Sequence, residues 1–301
     1  MPDTVDKATG PHIITIWWLA IRPKTLSLSW VPVLVSSSLA FSEQGQFSWL
    51  VMLTAVLAAI LIQIGTNLHN DAKDFERGVD RPDRQGPVRV TAIGWLQANQ
   101  VRNAAYMAFG LAFIIGLYLI WIGGWIIFIL GIASIVAGLA YTGGPRPIAY
   151  GMFGEIFVFL FFGVAAVVGT YYLHTHQISW TSMATGAAFG LLAAAVLTVN
   201  NYRDIYSDKL VGKITLPIYI GEAATRIEYA GLMILPFVLI IPSGIKQPWA
   251  LILAYLTLPG ALWLVIRFFK TPPSPACNDL LARTAQLQLI FGLLLGIGYL
   301  I

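Results

Sequence analysis

Nine apolar segments constrain the fold of this chain more than any other feature of its sequence. Each is about 20 residues long, which is the length that a helix needs to cross the hydrocarbon core of a bilayer. An alternating pattern of the kind found in membrane β-barrels is absent. We therefore predict an all-α, polytopic membrane protein with nine transmembrane helices. The predicted spans are 25–42, 48–69, 100–121, 124–142, 153–173, 180–200, 223–242, 248–268 and 281–301.

The composition agrees with a membrane location. Of the 301 residues, 57% are hydrophobic and only 11% are charged, whereas a soluble protein carries about a quarter charged residues. Before the first span, the segment from His12 to Ile21 contains Trp17 and Trp18 and is predicted to lie in the membrane interface. The single cysteine, Cys277, excludes an intrachain disulfide and a cysteine metal site. No cleaved signal peptide is expected.

The basic residues predict the orientation. With nine spans, every one of the 18 lysines and arginines except Lys246 falls on the side of the N-terminus. The positive-inside rule places that side in the cytoplasm. The acidic residues near span ends gather on the same side, where like charges repel one another unless a cation is bound. We expect a multi-pass protein of the cell inner membrane, with the mouth of its site on the cytoplasmic side and without a nucleic-acid partner.

The polar stretch after the sixth span has the most informative pattern. Asn200, Asp204 and Asp208 stand four residues apart and therefore share one face of a helix end. Carboxylates and amides without nearby His or Cys suit a hard cation such as Mg²⁺. Lys209 and Lys213 follow, and a cation beside ammonium groups suits a phosphate-bearing ligand. A solvated helix cap between two spans is the alternative.

A second acidic stretch follows the second span. Asn67 and Asp71 repeat the four-residue step, Asn70 and Asp74 repeat it again, and Asp80 comes shortly after. Two such stretches at corresponding helix ends predict an internal pseudo-repeat, at 67–80 and 200–208, whose halves face one site. We treat residues 1–301 as one domain, with 1–24 as its cytoplasmic and interfacial N-terminal segment.

Further polar features leave two interpretations open. The basic pair Arg22 and Lys24 either fixes topology or contacts phosphate. The turn 143–147 is either an ordinary loop or a backbone turn that presents Arg146 to an anion. Glu155, just inside the fifth span, should pair or bind something if it is buried. His69 is more typical of a structural residue than of a ligand.

Taken together, these motifs resemble those of the UbiA family of intramembrane aromatic prenyltransferases. The resemblance covers nearly the whole chain and rests on the stretch 22–25 and on both acidic clusters. Within the family, the stretches 141–147 with 154–159, 200–216 and the polar spacing over 67–87 resemble members that prenylate 1,4-dihydroxy-2-naphthoate for menaquinone synthesis. The family implies one helix bundle around a central cavity, with the two acidic helix ends at its cytoplasmic mouth.

The resemblance implies a Mg²⁺-dependent transfer of a polyprenyl group from a polyprenyl diphosphate to an aromatic acid. With 1,4-dihydroxy-2-naphthoate as acceptor, demethylmenaquinone, diphosphate and CO₂ would be formed. The expected metal ligands and catalytic residues are Asp71, Asp74, Asp80, Asp204 and Asp208. The expected substrate-binding residues are Arg22, Lys24, Asn67, Asn70, Arg77, Arg146, Asn200, Asn201, Arg203, Lys209 and Lys213.

Three alternatives remain at this point. The acceptor could be 4-hydroxybenzoate, homogentisate or a porphyrin. A cation-coupled secondary transporter is disfavoured because transporter sites lie near the bilayer midplane, whereas these carboxylates collect at span ends. A structural scaffold does not account for two clusters of acids that repel one another without a ligand.

Overall fold

The computed structural model describes residues 11–80 and 85–301. Within them the regular structure is entirely helical and contains no strand, which confirms the predicted all-α class. Residues 1–10 of the predicted N-terminal segment lie outside the described residues. The basic residues Lys7, Arg81 and Arg84, which contributed to the charge pattern, also lie outside them.

The α-helices follow one another with short connections. They are α1 (Ile13–Ile21), α2 (Ser27–Gln44), α3 (Trp49–Glu76), α4 (Ala98–Thr142), α5 (Gly154–Val158), α6 (Ala166–Thr175), α7 (Trp180–Arg203), α8 (Ile205–Leu210), α9 (Leu216–Leu239), α10 (Pro248–Tyr255), α11 (Leu258–Lys270) and α12 (Cys277–Leu300). A π-helical segment, Phe159–Ala165, joins α5 to α6, and a 3₁₀ turn, Ile148–Tyr150, precedes α5.

Seven helical segments of the described chain are long and apolar enough to cross a membrane. They are α3, α4, α5 to α6 through the π-helical segment, α7, α9, α10 to α11, and α12. The number is eight if α1 and α2, which meet at 51°, form one broken span. The predicted spans 100–121 and 124–142 are joined in α4, which has 45 residues. At about 1.5 Å per residue, a straight helix of that length would exceed twice the roughly 30 Å of a hydrocarbon core. Gly124 interrupts α4 with φ 65° and ψ −154°, a conformation open essentially to glycine alone, and kinks it there.

The largest differences from the predicted boundaries occur at helix ends on the side of the acidic motifs. Helix α3 continues about two turns beyond the predicted span, so Asn70 and Asp74 lie within the helix rather than beyond its end. Helix α9 begins before its predicted start and is kinked at Gly221. Polar residues ended the predicted spans too early because they lower hydropathy without breaking a helix.

Helix α7 is the most enclosed of the candidate membrane-spanning helices, because 72% of its apolar 18-residue stretch is buried. Its side chain Phe189 packs edge to face against Phe291 of α12, with ring centroids 5.8 Å apart. Tyr202, near its end, packs on Phe268 of α11 at 4.7 Å. The second acidic motif therefore starts from the most constrained helix of the bundle.

Glycines bring the π-helical segment close to α7. A Cβ atom built on Gly163 would lie 2.3 Å from backbone atoms of Gly186 and Gly190. No side chain fits in that space, so the two backbones can approach only with glycine at this position. Close contact between small residues is a common way for helices to associate in membranes, where the hydrophobic effect between helices is weak.

Candidate active site

One cavity of about 410 Å³ runs between the helices and has a polar end and an apolar end. The polar end is lined by residues of both acidic motifs, and the apolar end by α2, α3, α4, the π-helical segment and α6. A single face of α3 runs along its length. The lining residues of that face are Ala55, Ala58, Ala59, Ile62, Gln63, Thr66, Asn67, Asn70 and Asp74. From Ala55 to Asp74 this face extends about 28 Å.

The structure brings most of the predicted site residues to this cavity. Those that line it are Arg22, Asn67, Asn70, Asp74, Asp80, Asn200, Asn201, Asp204, Asp208 and Lys213. The predicted residues that do not line it are Lys24, Asp71, Arg77, Arg146, Arg203 and Lys209. The two acidic stretches, more than a hundred residues apart in sequence, therefore meet at one end of one cavity.

The carboxylate of Asp74 connects the first motif to two other residues that line the cavity. Its Oδ1 accepts a 3.0 Å hydrogen bond from the hydroxyl of Tyr150, and its Oδ2 accepts one of 3.0 Å from Arg89. Arg89 also forms an ion pair with Asp80, at 3.7 Å between Nε and Oδ1. Arg89 lines the cavity and its side chain is only 7% exposed. Its charge is thus held at the polar end between two carboxylates.

Asp71, predicted as a metal ligand, does not line the cavity. Its carboxylate accepts hydrogen bonds from the backbone of Val90 (3.2 Å), from the backbone of Thr91 (3.3 Å) and from the hydroxyl of Thr91. These contacts hold the chain immediately after Arg89 against α3. Asp71 therefore fixes the segment that carries Arg89, and its own oxygens are already used.

Arg203 and Asp204 form a buried pair at the end of α7. The guanidinium of Arg203 donates to both carboxylate oxygens of Asp204, from Nε at 2.8 Å and from Nη2. It also donates to Asn200 at 3.0 Å and to Asn278 of α12 at 2.7 Å. Arg203 was predicted to contact substrate, but it lies behind the cavity wall and orients Asp204 and Asn200. Asn278 in turn donates to the carbonyl of Gln85, which ties α12 to the segment after the first motif.

Asp208 pairs with Lys213, with 3.0 Å between Oδ1 and Nζ. Burial raises the pKa of the Asp208 carboxyl above its ordinary value, Lys213 opposes this shift, and the nearby carboxylates of Asp204 and Asp74 reinforce it. The three acids, which come from both motifs, are therefore close enough to repel one another. A bound cation would relieve that repulsion.

Tyr150 connects the two motifs. Its ring is contacted by two cations, Arg77 directly after α3, at 5.2 Å, and Lys213, at 4.9 Å. Its hydroxyl donates to Asp74, and its carbonyl accepts a 2.9 Å hydrogen bond from the backbone of Ile214. Burial, followed by the charge of Asp74, raises the pKa of the Tyr150 phenol, which therefore stays protonated and remains a donor.

The remaining predicted cations lie outside the cavity. Arg77 donates to the carbonyl of Gly144 and so supports the 143–147 turn. Lys24, Arg146 and Lys209 are exposed. In this structure these side chains are not placed to contact a ligand in the cavity.

Glu155 is buried, and its partner is a residue of the second motif. Its Oε1 accepts a 2.8 Å hydrogen bond from Nδ2 of Asn201, and only 5% of the residue is exposed. A carboxylate can only accept, so the amide of Asn201 must turn its NH₂ group towards Glu155. The carbonyl oxygen of Asn201 is then left for the cavity, which Asn201 lines.

Among the polar residues that line the cavity and that sequence reasoning missed are Gln63, Arg89 and Tyr150. Gln63 stands four residues before Asn67 and so extends the same helix face by one turn. The signal for Gln63 was therefore present in the spacing. Arg89 and Tyr150 lie in connecting segments, where residue spacing does not predict which side chains meet.

The donor set fits a hard divalent cation only in part. Carboxylates of both motifs and the amides of Asn67, Asn70, Asn200 and Asn201 supply oxygens at one end of the cavity. However, the described residues contain no ready-made group of three or more His, Cys, Asp or Glu able to hold a metal ion. This arrangement suits Mg²⁺, which is usually bound through one or two carboxylates together with water and substrate phosphate oxygens.

Comparisons with known proteins agree with this geometry. The sequence profile of the UbiA prenyltransferase family matches residues 29–290. The chain is 32% identical over 297 residues to a 1,4-dihydroxy-2-naphthoate octaprenyltransferase of Haemophilus influenzae, covering 96% of each chain. It is 39% identical over 225 residues to the Escherichia coli enzyme of the same name, covering 72% of each.

Solved structures of low sequence identity share the fold. A UbiA homolog from Archaeoglobus fulgidus bound to GPP and Mg²⁺ superposes with a TM-score of 0.69 at 18% identity. The alignment covers 95% of this chain and 99% of that one. The fold, the matched profile and the apolar helices lead to one conclusion: the chain is a multi-pass membrane protein that belongs to the UbiA prenyltransferase family, and it is a prenyltransferase.

Proposed function

We propose that this protein transfers a polyprenyl group from a polyprenyl diphosphate to 1,4-dihydroxy-2-naphthoate, in a Mg²⁺-dependent reaction that yields demethylmenaquinol, the reduced form of demethylmenaquinone, together with diphosphate and CO₂. The meeting of Asp74, Asp204 and Asp208 at the polar end of an otherwise apolar cavity carries this proposal. A substrate with an anionic head and a long hydrocarbon tail matches that distribution of polarity. Relatives named for this reaction support the choice of acceptor.

The head of the substrate would lie at the polar end. Lys213 and Arg89 line this end and are the cations best placed to contact diphosphate oxygens, with Arg22 nearby. Asp74, Asp204 and Asp208 would hold Mg²⁺, with amide oxygens of the asparagines as further ligands. When bound, the metal neutralises the charge that develops on the departing diphosphate. Asp71, which does not line the cavity and whose oxygens hold the backbone after Arg89, is assigned a positioning role in place of the predicted ligand role.

The reaction balances without a separate base. The C–O bond to diphosphate breaks and its electron pair leaves with the diphosphate. Ring electrons of the acceptor then form the new C–C bond to the allyl carbon. If attack is at the ring carbon that bears the carboxylate, the bond to CO₂ breaks and its electron pair restores the aromatic ring. The apolar walls exclude water that would otherwise capture the allyl cation.

The topology forms part of the proposal. Counting α1 with α2 as one broken span and dividing α4 at Gly124 gives nine crossings, as the hydropathy pattern predicts. The basic residues then favour a cytoplasmic N-terminus and cavity mouth in the cell inner membrane. Residues 1–301 would form a single domain with an internal pseudo-repeat, and the stretches 67–80 and 200–208 would be the corresponding acidic motifs of its two halves.

Transfer assays with purified protein in proteoliposomes test the reaction. We expect prenylation of 1,4-dihydroxy-2-naphthoate with one CO₂ and one diphosphate released per transfer, and much weaker use of 4-hydroxybenzoate or homogentisate. Asp74→Asn and Asp208→Asn should each lower the rate of transfer by about 100-fold or more. Asp279→Asn is the matched control, because Asp279 pairs with Arg267 and Arg283 outside the cavity. Preferential prenylation of another acceptor, or full activity in the cavity variants, would refute the proposal.

A further inference from the structure

Gln63 is a buried amide in the apolar part of the cavity. It lines the cavity, is 8% exposed, and its Oε1 has no hydrogen-bond partner among the described residues. It precedes Asp74 by eleven residues on the same helix, which places it about 16 Å below Asp74 along the helix axis. A buried amide oxygen without a hydrogen-bond donor costs free energy, so its presence here needs an explanation.

The other polar side chains of this helix face already have partners. The hydroxyl of Thr66 donates to the carbonyl of Ile62 at 2.8 Å, and Nδ2 of Asn67 donates to the carbonyl of Ile21 at 2.9 Å. On other walls, Ser134 donates to Leu130 and Ser29 to Leu26 within their own helices. Gln63 therefore differs from its polar neighbours in presenting an unsatisfied group to the cavity.

The chemistry of the cavity restricts what could bind Gln63. The charged lining residues belong to the polar end, and those in the described chain are Arg22, Asp74, Asp80, Arg89, Asp204, Asp208 and Lys213. Diphosphate and carboxylate groups would stay with those charges, because an anion in an apolar region without a cation is costly. A prenyl tail offers no hydrogen bond. What remains is a neutral group that both donates and accepts, and a ring hydroxyl has these properties.

We propose that Gln63 binds the ring hydroxyl of the aromatic acceptor that points away from the charged end of the cavity. This inference rests on the proposed function and names the recognition of its acceptor. A 1,4-dihydroxy ring carries hydroxyls on opposite sides, so one can face the polar end while the other reaches Gln63. Acceptors with a single hydroxyl would leave the amide unpaired. A site built to hydrogen-bond a hydroxyl rejects analogues that lack it.

A cycle of two acceptors and two enzymes tests the assignment. The acceptors are 1,4-dihydroxy-2-naphthoate and 1-hydroxy-2-naphthoate, and the enzymes are the wild type and Gln63→Leu, assayed in proteoliposomes with geranyl diphosphate. We expect Gln63→Leu to lower kcat/KM for the dihydroxy acceptor by about tenfold and to leave that for the monohydroxy acceptor nearly unchanged. The different intrinsic reactivity of the two rings cancels, because the kcat/KM of the variant is compared with that of the wild type for each acceptor separately. The KM for geranyl diphosphate should not change.

Gln288→Leu is the matched control. Gln288 lies on α12, is 1% exposed, has no hydrogen-bond partner for either side-chain amide atom among the described residues, and does not line the cavity. Its replacement should leave the ratio of the two acceptors unchanged. An equal loss for both acceptors in Gln63→Leu, no loss for either, or the same change of ratio in Gln288→Leu would overturn the assignment.

Two further measurements keep the test decisive. If Gln63→Leu does not fold, Gln63→Met preserves an unbranched chain and takes its place. Inhibition of the wild type by 1-hydroxy-2-naphthoate needs no variant, and binding as tight as that of the dihydroxy acceptor would refute the contact. A wild type that does not prenylate 1,4-dihydroxy-2-naphthoate would refute the proposed acceptor, whereas transfer without discrimination between the acceptors would refute only the role of Gln63.

Discussion

The hydroxyl of Tyr150 donates a 3.0 Å hydrogen bond to Asp74, and this contact joins the 3₁₀ turn before α5 to the first acidic motif. Because the same ring lies against Lys213, one side chain touches both halves of the site. Tyr150→Phe would remove the hydrogen bond and keep the ring. We expect kcat/KM to fall by about tenfold or more, as for a hydrogen bond to a charged group. Steady-state assays check this, and an unchanged rate would contradict a role for the hydroxyl.

Asp71 and Asp74 lie about one turn apart on α3, but they should respond differently to the same substitution. Asp74→Asn should lower kcat by about 100-fold or more and raise the Mg²⁺ concentration that gives half-maximal activity. Asp71→Asn should lower activity by loosening the segment that carries Arg89, with the Mg²⁺ dependence unchanged. Titrating each variant with Mg²⁺ separates the two. A shifted Mg²⁺ dependence in Asp71→Asn would restore Asp71 as a metal ligand.

Arg203 is expected to contribute to stability and to the orientation of Asp204 rather than to substrate contact. Removing one partner of a buried ion pair costs about 3–5 kcal/mol, because the other charge is left without compensation. Arg203→Met should therefore lower the midpoint of thermal unfolding in detergent. The exposed Lys209→Met serves as the control and should leave the midpoint unchanged. An unchanged midpoint in Arg203→Met would contradict the contribution of this ion pair to stability.

Metal removal should abolish transfer. In excess EDTA we expect no activity, and addition of Mg²⁺ should restore it, since the described carboxylates form no ready-made cluster that would retain the ion against a chelator. Ca²⁺, which is larger and binds with less regular geometry, should restore less. Product formation at each metal concentration is the measurement. Full turnover in EDTA would mean that the basic residues alone stabilise the leaving diphosphate.

The approach of the π-helical segment to α7 predicts a packing defect. In Gly163→Ala the added methyl group would lie 2.3 Å from the backbone of α7, so the π-helical segment and α7 must move apart. We expect a lower unfolding midpoint, by the mechanism that makes overpacked sites cost about 1–3 kcal/mol. Gly231→Ala on α9, where a Cβ meets nothing within 4 Å, is the control. Equal midpoints for the two variants would show that the contact relaxes without cost.

The sequence was sufficient to predict the all-helical class and many of the residues that line the cavity, but not the partners of the charged residues. The four-residue step of Asn200, Asp204 and Asp208 predicted one helix face; the helix instead breaks at Asp204, between α7 and α8, yet all three side chains line one cavity. The same step also included Asp71, which points to the backbone of Val90 and Thr91 instead. Spacing predicts which side chains share a face of a helix. It does not predict which of them contact a loop, because that depends on how a later segment of the chain packs against the helix.

The predicted cations show the same limit. A basic residue near an acidic motif is equally compatible with binding a ligand, with pairing to a neighbouring carboxylate and with exposure to solvent. Arg203 pairs with Asp204, Arg77 supports the carbonyl of Gly144, and Lys209 is exposed. Only tertiary contacts separate these cases, so net charge and position in the chain could not.

Gly124 has a consequence for the whole molecule under the proposed topology. Without the kink in α4, a rod of about 68 Å would project into solvent instead of turning back through lipid. One crossing would be lost, so every later span would have the opposite orientation in the membrane. Asp204 would then lie on the opposite side of the bilayer from Asp74. The assembly of both halves of the site on one side thus depends on a residue that contributes no side chain to it.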